Sequence, residues 1–409
     1  MGMELLDMLS PRQLELVKRH LKKRIEAESE KSGLGIVYDI TYWCNLRCVG
    51  CAVNARLYSH PGRVASLQLE ASTAEVLTIL SKIKVYLDAH PVTRFFLNFG
   101  GGEPFIRDDF PEIVEEASSL FGPESIGVDT NGTMMTPEQI ERLAPFVSYI
   151  GVSVDGLKEY HNWWRGSNKV NRITNSFDHT IATIKAILTI PKARESLEVS
   201  TVVTKRNLAQ IPHLMRYLHE IGVDRYSVHR AMQVGRLSRK PELIPTAEDY
   251  LRLLVTIVET NEELGMDVHL HHSIESIYST LLLGHDTYVR NKLGNPDKRS
   301  SIGIDPEGNV HFDPWCMVPP WDQLTGGSLL EDETSLESIF SQGILAIAQE
   351  YCQPEVRCHG CPQRCSGGSR IAAAAAFIEQ DQSLRLEDVT ESHILAGMAE
   401  VDPACPLSL

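Results

Sequence analysis

Residues 35–51 read Gly-Ile-Val-Tyr-Asp-Ile-Thr-Tyr-Trp-Cys-Asn-Leu-Arg-Cys-Val-Gly-Cys, a short apolar run followed at once by Cys44, Cys48 and Cys51. The run predicts a buried strand, and the CxxxCxxC spacing puts three thiols in the loop that leaves it. Three soft thiolates in one loop can hold three irons of a cubane cluster and leave the fourth iron to a small-molecule ligand. The competing readings are a zinc knuckle or buried structural thiols. A structural zinc site asks for four protein ligands, usually as two CxxC pairs. Here three residues separate the first two cysteines, and no fourth ligand follows at the usual spacing.

The surrounding chain has 409 residues, 43% hydrophobic and 23% charged, which suits one large enzyme domain plus a smaller one. Its 54 acidic against 39 basic side chains oppose condensation onto a phosphate backbone, so nucleic acid is not an expected partner. The basic groupings at 18–24, at Lys205 and Arg206, and at 236–240 read as solvated surface charge. No stretch approaches the roughly 18 apolar residues of a membrane span, and the N-terminus lacks a signal pattern. A cytoplasmic protein without membrane contact is expected. Nine cysteines, an odd number clustered towards both ends, fit metal binding better than disulfides.

Ser10, Pro11 and Gln13 predict the start of an N-terminal helix within residues 1–34. From 35 to 235 apolar runs at 35–41, 95–99, 126–130, 149–154, 197–203 and 224–229 alternate with helical stretches at 72–90, 109–121, 137–143, 176–189 and 208–221. This alternation predicts an α/β fold, a partial (β/α)6 barrel of the TIM type with its chemistry at the C-terminal strand ends. Residues 236–300 read as a helical connector. Residues 301–409 read as a second, cysteine-bearing domain that opens with a hairpin around Asp305-Pro306-Glu307-Gly308.

Each strand end carries polar or glycine chemistry. After the second strand stands Gly100-Gly101-Gly102-Glu103-Pro104, after the third Thr130-Asn131-Gly132, and at the end of the fourth Ser153-Val154-Asp155. Glycines permit close backbone approach to a ligand, and Glu103 could accept a hydrogen bond from an ammonium group. Each motif taken singly is ordinary turn chemistry; their succession along consecutive βα units carries the weight.

On these residues the chain resembles the radical S-adenosylmethionine (SAM) enzymes over about residues 35–231. The resemblance implies a [4Fe-4S] cluster on Cys44, Cys48 and Cys51, with SAM chelating the open iron. It further implies that Gly101, Gly102, Glu103 and Pro104 meet the methionine ammonium, Ser153 and Asn131 the ribose beside Asp155, and Arg165 the carboxylate. One-electron cleavage of SAM would yield a 5'-deoxyadenosyl radical that abstracts hydrogen. Gly50 stands where the family often has an aromatic residue.

The C-terminal cysteines Cys358, Cys361, Cys365 and Cys405 resemble a SPASM or twitch extension that binds one auxiliary [4Fe-4S] cluster. Ser369 stands where a full SPASM domain has a further cysteine, and no cysteine follows Gly326 or Gly327 within the next residues, so two ligand positions of a second cluster are missing. Zinc on the same four thiolates competes with this reading. Cys316 and Cys352 are remnants, buried thiols or alternative ligands. His269, His271 and His272 read as polar residues edging a cleft or as metal ligands. Asp313 has only its position to recommend it as a general base, and no catalytic residue is assigned.

The resulting expectation is an oxidoreductase or maturase that abstracts hydrogen from a residue of a ribosomally synthesised peptide. The alternative is a dehydrogenase or epimerase of a sugar, aminocyclitol or other small metabolite. A non-catalytic iron-sulfur carrier would need no sulfonium site. Flavodoxin or ferredoxin is the electron donor that the resemblance implies.

Overall fold

A computed structural model describes residues 7–28, 33–58, 70–90, 92, 94–166, 173–270, 272–283, 301–341, 367–381 and 384–400. Helix α1 (Pro11–Glu28) begins as expected, with Gln13 N–H donating to Ser10 Oγ at 3.3 Å and Ser10 N–H to Gln13 Oε1 at 3.0 Å. Parallel strands β1 (Gly33–Thr41), β2 (Arg94–Gly101), β3 (Ile126–Thr130), β4 (Tyr149–Ser153), β5 (Leu197–Val203) and β6 (Arg225–Arg230) follow and lie side by side in chain order. That order is what short right-handed βα connections produce.

The helices between them are α2 (Thr73–Ala89), α3 (Phe110–Phe121), α4 (Pro137–Leu143), α5 (Lys158–Trp164), α6 (Ser176–Thr189), α7 (Pro191–Ser196) and α8 (Ile211–Glu220). Helices α2 and α4 start at capping boxes, Ser72 with Glu75 and Thr136 with Gln139. Helices α5 and α7 were not expected. Both are short, and unlike the equally short α4 neither opens on a capping box that would mark its start.

Strand alternation divides the sheet into two faces. Ile36, Tyr38, Ile40, Leu97, Phe99, Ile126, Val128, Ile150, Val152, Leu197, Val199, Tyr226 and Val228 join the apolar core on the helix side. The opposite face takes the intervening residues, among them Asp39, Asn98, Asp129, Ser153, Glu198 and His229. The core therefore lies on the helix side of the sheet, and these polar side chains lie on the other.

The sheet continues past these six strands. Within 236–300, read as helical, the described residues form α9 (Ala247–Leu264), strand β7 (Asp267–Leu270) and α10 (His272–Leu283); β7 pairs in parallel with β6. The four-residue strand escaped notice because it is shorter than the helices on either side. Strand β8 (Ser301–Ile304) pairs in parallel with β1, and β9 (Asn309–His311) and β10 (Thr325–Ser328) complete an antiparallel edge. The result is one open ten-stranded sheet ending in β7 and β10.

Helix α1 docks on α9 and α10, where His20 and Arg24 meet the buried Glu275 at 3.1 and 3.3 Å. Later come α11 (Leu336–Ser341), α12 (Gly367–Gln380) and α13 (Glu391–Met398). The alanine run of α12 packs tightly as expected, since a Cβ built on Gly397 of α13 would lie 2.6 Å from Ala374 Cα. Cys352, Cys358, Cys361, Cys365 and Cys405 lie outside the described residues, as does His271.

Candidate functional site

Strand β1 delivers the chain to a closed loop. Trp43–Cys44 pairs in parallel with Arg56–Leu57, and Tyr58 N–H donates to Cys44 O at 2.8 Å, so that Cys44, Cys48 and Cys51 belong to one tied loop. A second tie comes from the turn Gly235–Arg239 after β6. Arg236 donates from its backbone N–H to Cys51 O at 2.9 Å and from Nη1 to Cys48 O at 3.0 Å, while its Nη2 reaches Ala55 O. Gly235, at φ +55°, lets this turn approach, because a Cβ there would lie 2.4 Å from the carbonyls of Cys51 and Ala52. Arg236, read from the sequence as surface charge, is thus a clasp on the cysteine loop.

Each thiol sulfur has an N–H group beside it. Leu46 N lies 3.4 Å and Asn131 Nδ2 3.7 Å from Cys44 Sγ, Ala55 N 3.4 Å from Cys51 Sγ, and Arg165 Nη1 3.9 Å from Cys48 Sγ. Such donors favour thiolate over thiol and orient metal-bound sulfur. Burial, with neighbouring acidic groups adding to it, drives the Cys44 thiol up and takes Cys48 to about 11 despite Arg165 beside it. Three thiolates in this loop therefore call for a cationic centre to hold them. Among the described residues no three His, Cys, Asp or Glu side chains gather round one point as a single metal ion requires. A cubane asks less of the loop, since each thiolate binds a different iron. The donor set fits an iron-sulfur cluster.

The glycines of the next motif serve the protein's own packing. Gly102 N and Glu103 N donate to Thr41 O and Trp43 O, both at 2.8 Å, and a Cβ on Gly102 would fall 1.9 Å from Trp43 O. The end of β2 is thereby sewn to the strand that carries Cys44. The Glu103 carboxylate points inward, accepting from Thr130 Oγ1 at 2.7 Å and Asn131 N at 2.8 Å, and burial pushes it up to about 7. It joins the ends of β2 and β3. Pro104 is buried in the turn that follows.

Asn131 faces the cysteine loop: its Nδ2 donates to Asn45 Oδ1 at 2.9 Å, and Asn45 Nδ2 donates to Thr133 Oγ1 at 2.8 Å. Ser153 is half-buried at the end of β4, level with Ser200 of β5. Asp155 is buried, with Oδ2 accepting from Arg165 Nε at 2.5 Å and Oδ1 from Val202 N at 3.0 Å. Burial would weaken the Arg165 charge, but Asp155 and Cys48 beside it hold the guanidinium above its ordinary value. Cys44, Cys48, Cys51, Gly101, Gly102, Glu103, Asn131, Asp155 and Arg165 thus form one connected region at the C-terminal ends of β1 to β4.

Asn45 and Trp164 were not singled out from sequence, Thr130 was quoted only as part of a turn motif, and Arg236 was read as surface charge. Asn45 sits inside the cysteine motif, and that adjacency was the available signal. Trp164 and Arg236 reach the loop from distant elements and left no local pattern. Asp313, buried and raised to about 6 by that burial, starts the turn Pro314–Cys316, in which Cys316 is also buried.

No helix among the described residues is long and apolar enough to cross a membrane. Residues 38–218 match the family model described as the radical SAM superfamily. Pre-heme d1 synthase of Dinoroseobacter shibae is 23% identical over 361 residues, covering 83% of this chain and 82% of that protein. The mycofactocin maturase MftC of Mycobacterium tuberculosis is 28% identical over 303 residues, covering 73% of this chain and 68% of that protein. The solved structure of SuiB from Streptococcus suis, bound to its precursor peptide SuiA, superposes with a TM-score of 0.63 at 16% identity, over 95% of this chain and 79% of that one. This likeness is one of fold. The cysteine loop at the rim of the parallel sheet lies within the matched residues 38–218, the part of the chain that is similar to the radical SAM superfamily.

Proposed function

We propose that this protein is a radical SAM maturase that abstracts hydrogen from a residue of a ribosomally synthesised peptide. The observation that carries the reading is the tied loop of Cys44, Cys48 and Cys51, with an N–H group beside every sulfur, at the C-terminal rim of the sheet. When bound, a [4Fe-4S] cluster and SAM would supply one-electron cleavage of a carbon–sulfur bond and a 5'-deoxyadenosyl radical. The chain's own part is to place and shield them. Arg236 and the pairing of Trp43–Cys44 with Arg56–Leu57 fix the loop. The turn from Gly101 to Pro104 offers backbone groups to the methionine ammonium, Ser153 its hydroxyl to the ribose, and Arg165, braced by Asp155, its charge near Cys48.

A peptide substrate is supported by the relation to mycofactocin maturase and by the fold shared with SuiB. An auxiliary cluster on Cys358, Cys361, Cys365 and Cys405, and a flavodoxin or ferredoxin donor, belong to the same proposal. A second reading has a specific ground: pre-heme d1 synthase matches more of this chain than the maturase does, which favours a tetrapyrrole if the substrate is a small metabolite. The test is anaerobic reconstitution, reduction, and assay of 5'-deoxyadenosine with a short peptide encoded nearby and, separately, with a tetrapyrrole. A mass loss on the peptide supports the maturase; turnover of the tetrapyrrole alone rejects it.

A further inference from the structure

The face of the sheet opposite the helices holds a carboxylate that the fold leaves without a partner. Asp39 on β1 is 5% exposed, and among the described residues it accepts no hydrogen bond and pairs with no cation. Its surroundings add negative charge instead. Gly100 of β2 stands level with it and adds no side chain, a Cβ there lying 3.6 Å from Asp39 Oδ1; on β3 beyond, Asp129 accepts from Asn98 Nδ2 at 2.6 Å and from Tyr149 Oη at 3.3 Å. On the other side Asp305 is already engaged, accepting from Asn309 Nδ2 at 2.9 Å with His311 Nε2 at 3.0 Å. Asn98 Oδ1, on the same face, is also buried without a partner.

Burial and the two flanking aspartates raise Asp39 well above the usual carboxylate range. A chain does not keep such a group in its interior for stability, since a buried carboxylate needs a partner of opposite charge. Nor do three of these side chains converge as a metal ion would require. The acceptors on this floor match a compact cation with several donors.

We infer that Asp39, in the field of the nearby Asp129, binds a primary ammonium group on this face of the sheet. The inference rests on the reading of the strand ends as the reacting face. The ammonium belongs either to the substrate or to the methionyl part of SAM, because Asp39 also touches the Gly101 turn, where a built Cβ would lie 3.2 Å from Asp39 Cβ.

The test compares the full chain, cluster loaded, with Asp39→Asn and Asp129→Asn. Without ligand, Asp39→Asn should melt at the parent's temperature or several degrees above it, because no hydrogen bond or ion pair of Asp39 is lost. A lower melting temperature would mean that the carboxyl already has a partner in the fold, and overturns the inference. Calorimetric titration then uses two probes: N-acetyl-lysine methylamide, with its Nε-acetylated form as neutral control, and SAM. A tenfold or greater loss of affinity in Asp39→Asn for the lysine probe alone assigns the site to the substrate, and a like loss for SAM alone assigns it to SAM. In either case Asp129→Asn should show a smaller loss. Unchanged affinity for both probes overturns the inference. Formation of 5'-deoxyadenosine by the reduced parent checks the underlying reading separately, so a parent that makes it while both titrations are unmoved sinks the ammonium site alone.

Discussion

The indole of Trp164 fills the space that Gly50 leaves empty: a Cβ built on Gly50 would lie 2.3 Å from Trp164 Cη2 and 2.8 Å from Leu237 Cγ. The cysteine loop is therefore moulded on a side chain from α5, and Val49 N–H donates to Trp164 O at 2.7 Å to hold the register. The aromatic residue that the family often places at the position of Gly50 has no room here, because Trp164 is already there.

Gly50→Ala should destabilise the protein by about 1–3 kcal/mol through overpacking. In a Trp164→Phe background, which lacks the atom in the way, the same change should cost less, with a coupling of about 1 kcal/mol. Denaturant unfolding of the four proteins measures this, and simple additivity would show that the two residues do not meet.

Arg236→Ala should loosen the cysteine loop while the sheet stays folded. Charge-assisted hydrogen bonds contribute about 1.5–3 kcal/mol each, and two carbonyls of the loop lose theirs. We expect unchanged far-ultraviolet circular dichroism with faster loss of iron to a chelator. Arg236→Lys, which cannot span both carbonyls, should restore little of it.

Asp155→Ala leaves the buried Arg165 guanidinium without its counter-ion, a change that costs about 3–5 kcal/mol when one partner of a buried pair is removed. The double variant Asp155→Ala with Arg165→Met should recover much of that stability. Its iron retention should stay low, because the N–H group beside Cys48 is gone. Thermal melts and iron assay separate the two effects.

Burial raises Asp129 from 3.8 to about 6, with Asn98 and Tyr149 pulling back through hydrogen bonds. Over that interval the folded chain holds a proton that the unfolded chain has released. Its stabilising contribution is complete below about pH 4 and lost as the pH rises through about 6. The stability difference between parent and Asp129→Asn should change across this window by at most about 1.4 kcal/mol per pH unit, and be flat above it. A parallel pH dependence of the two would contradict the assignment.

Much of the framework was legible because it rests on local chemistry. Strands 126–130 and 197–203 and helices 137–143 and 176–189 appear at the bounds their apolar periods predict. The cysteine loop, the Gly-Gly-Glu turn and the Ser153–Asp155 strand end are short motifs, and the sheet brings them to one rim. Two readings of charge went otherwise. Arg236 resembled its neighbours in a basic run, and only its position after β6 turns it towards Cys48 and Cys51. Glu103 was expected to face a ligand, yet its carboxylate accepts from Thr130 and Asn131.

The amino-acid order alone determined which segments become strands and helices and which loop holds three thiols, since both depend on periodicity and spacing within a few residues. Only the folded sheet decided what surrounds those thiols and what faces the chamber. Arg236, Trp164 and Arg165 come from separate elements, and the burial that leaves Asp39 unpaired arises only when β1, β2 and β3 lie side by side. Hydrogen bonds and desolvation are set by distance in space, and distance along the chain does not encode them.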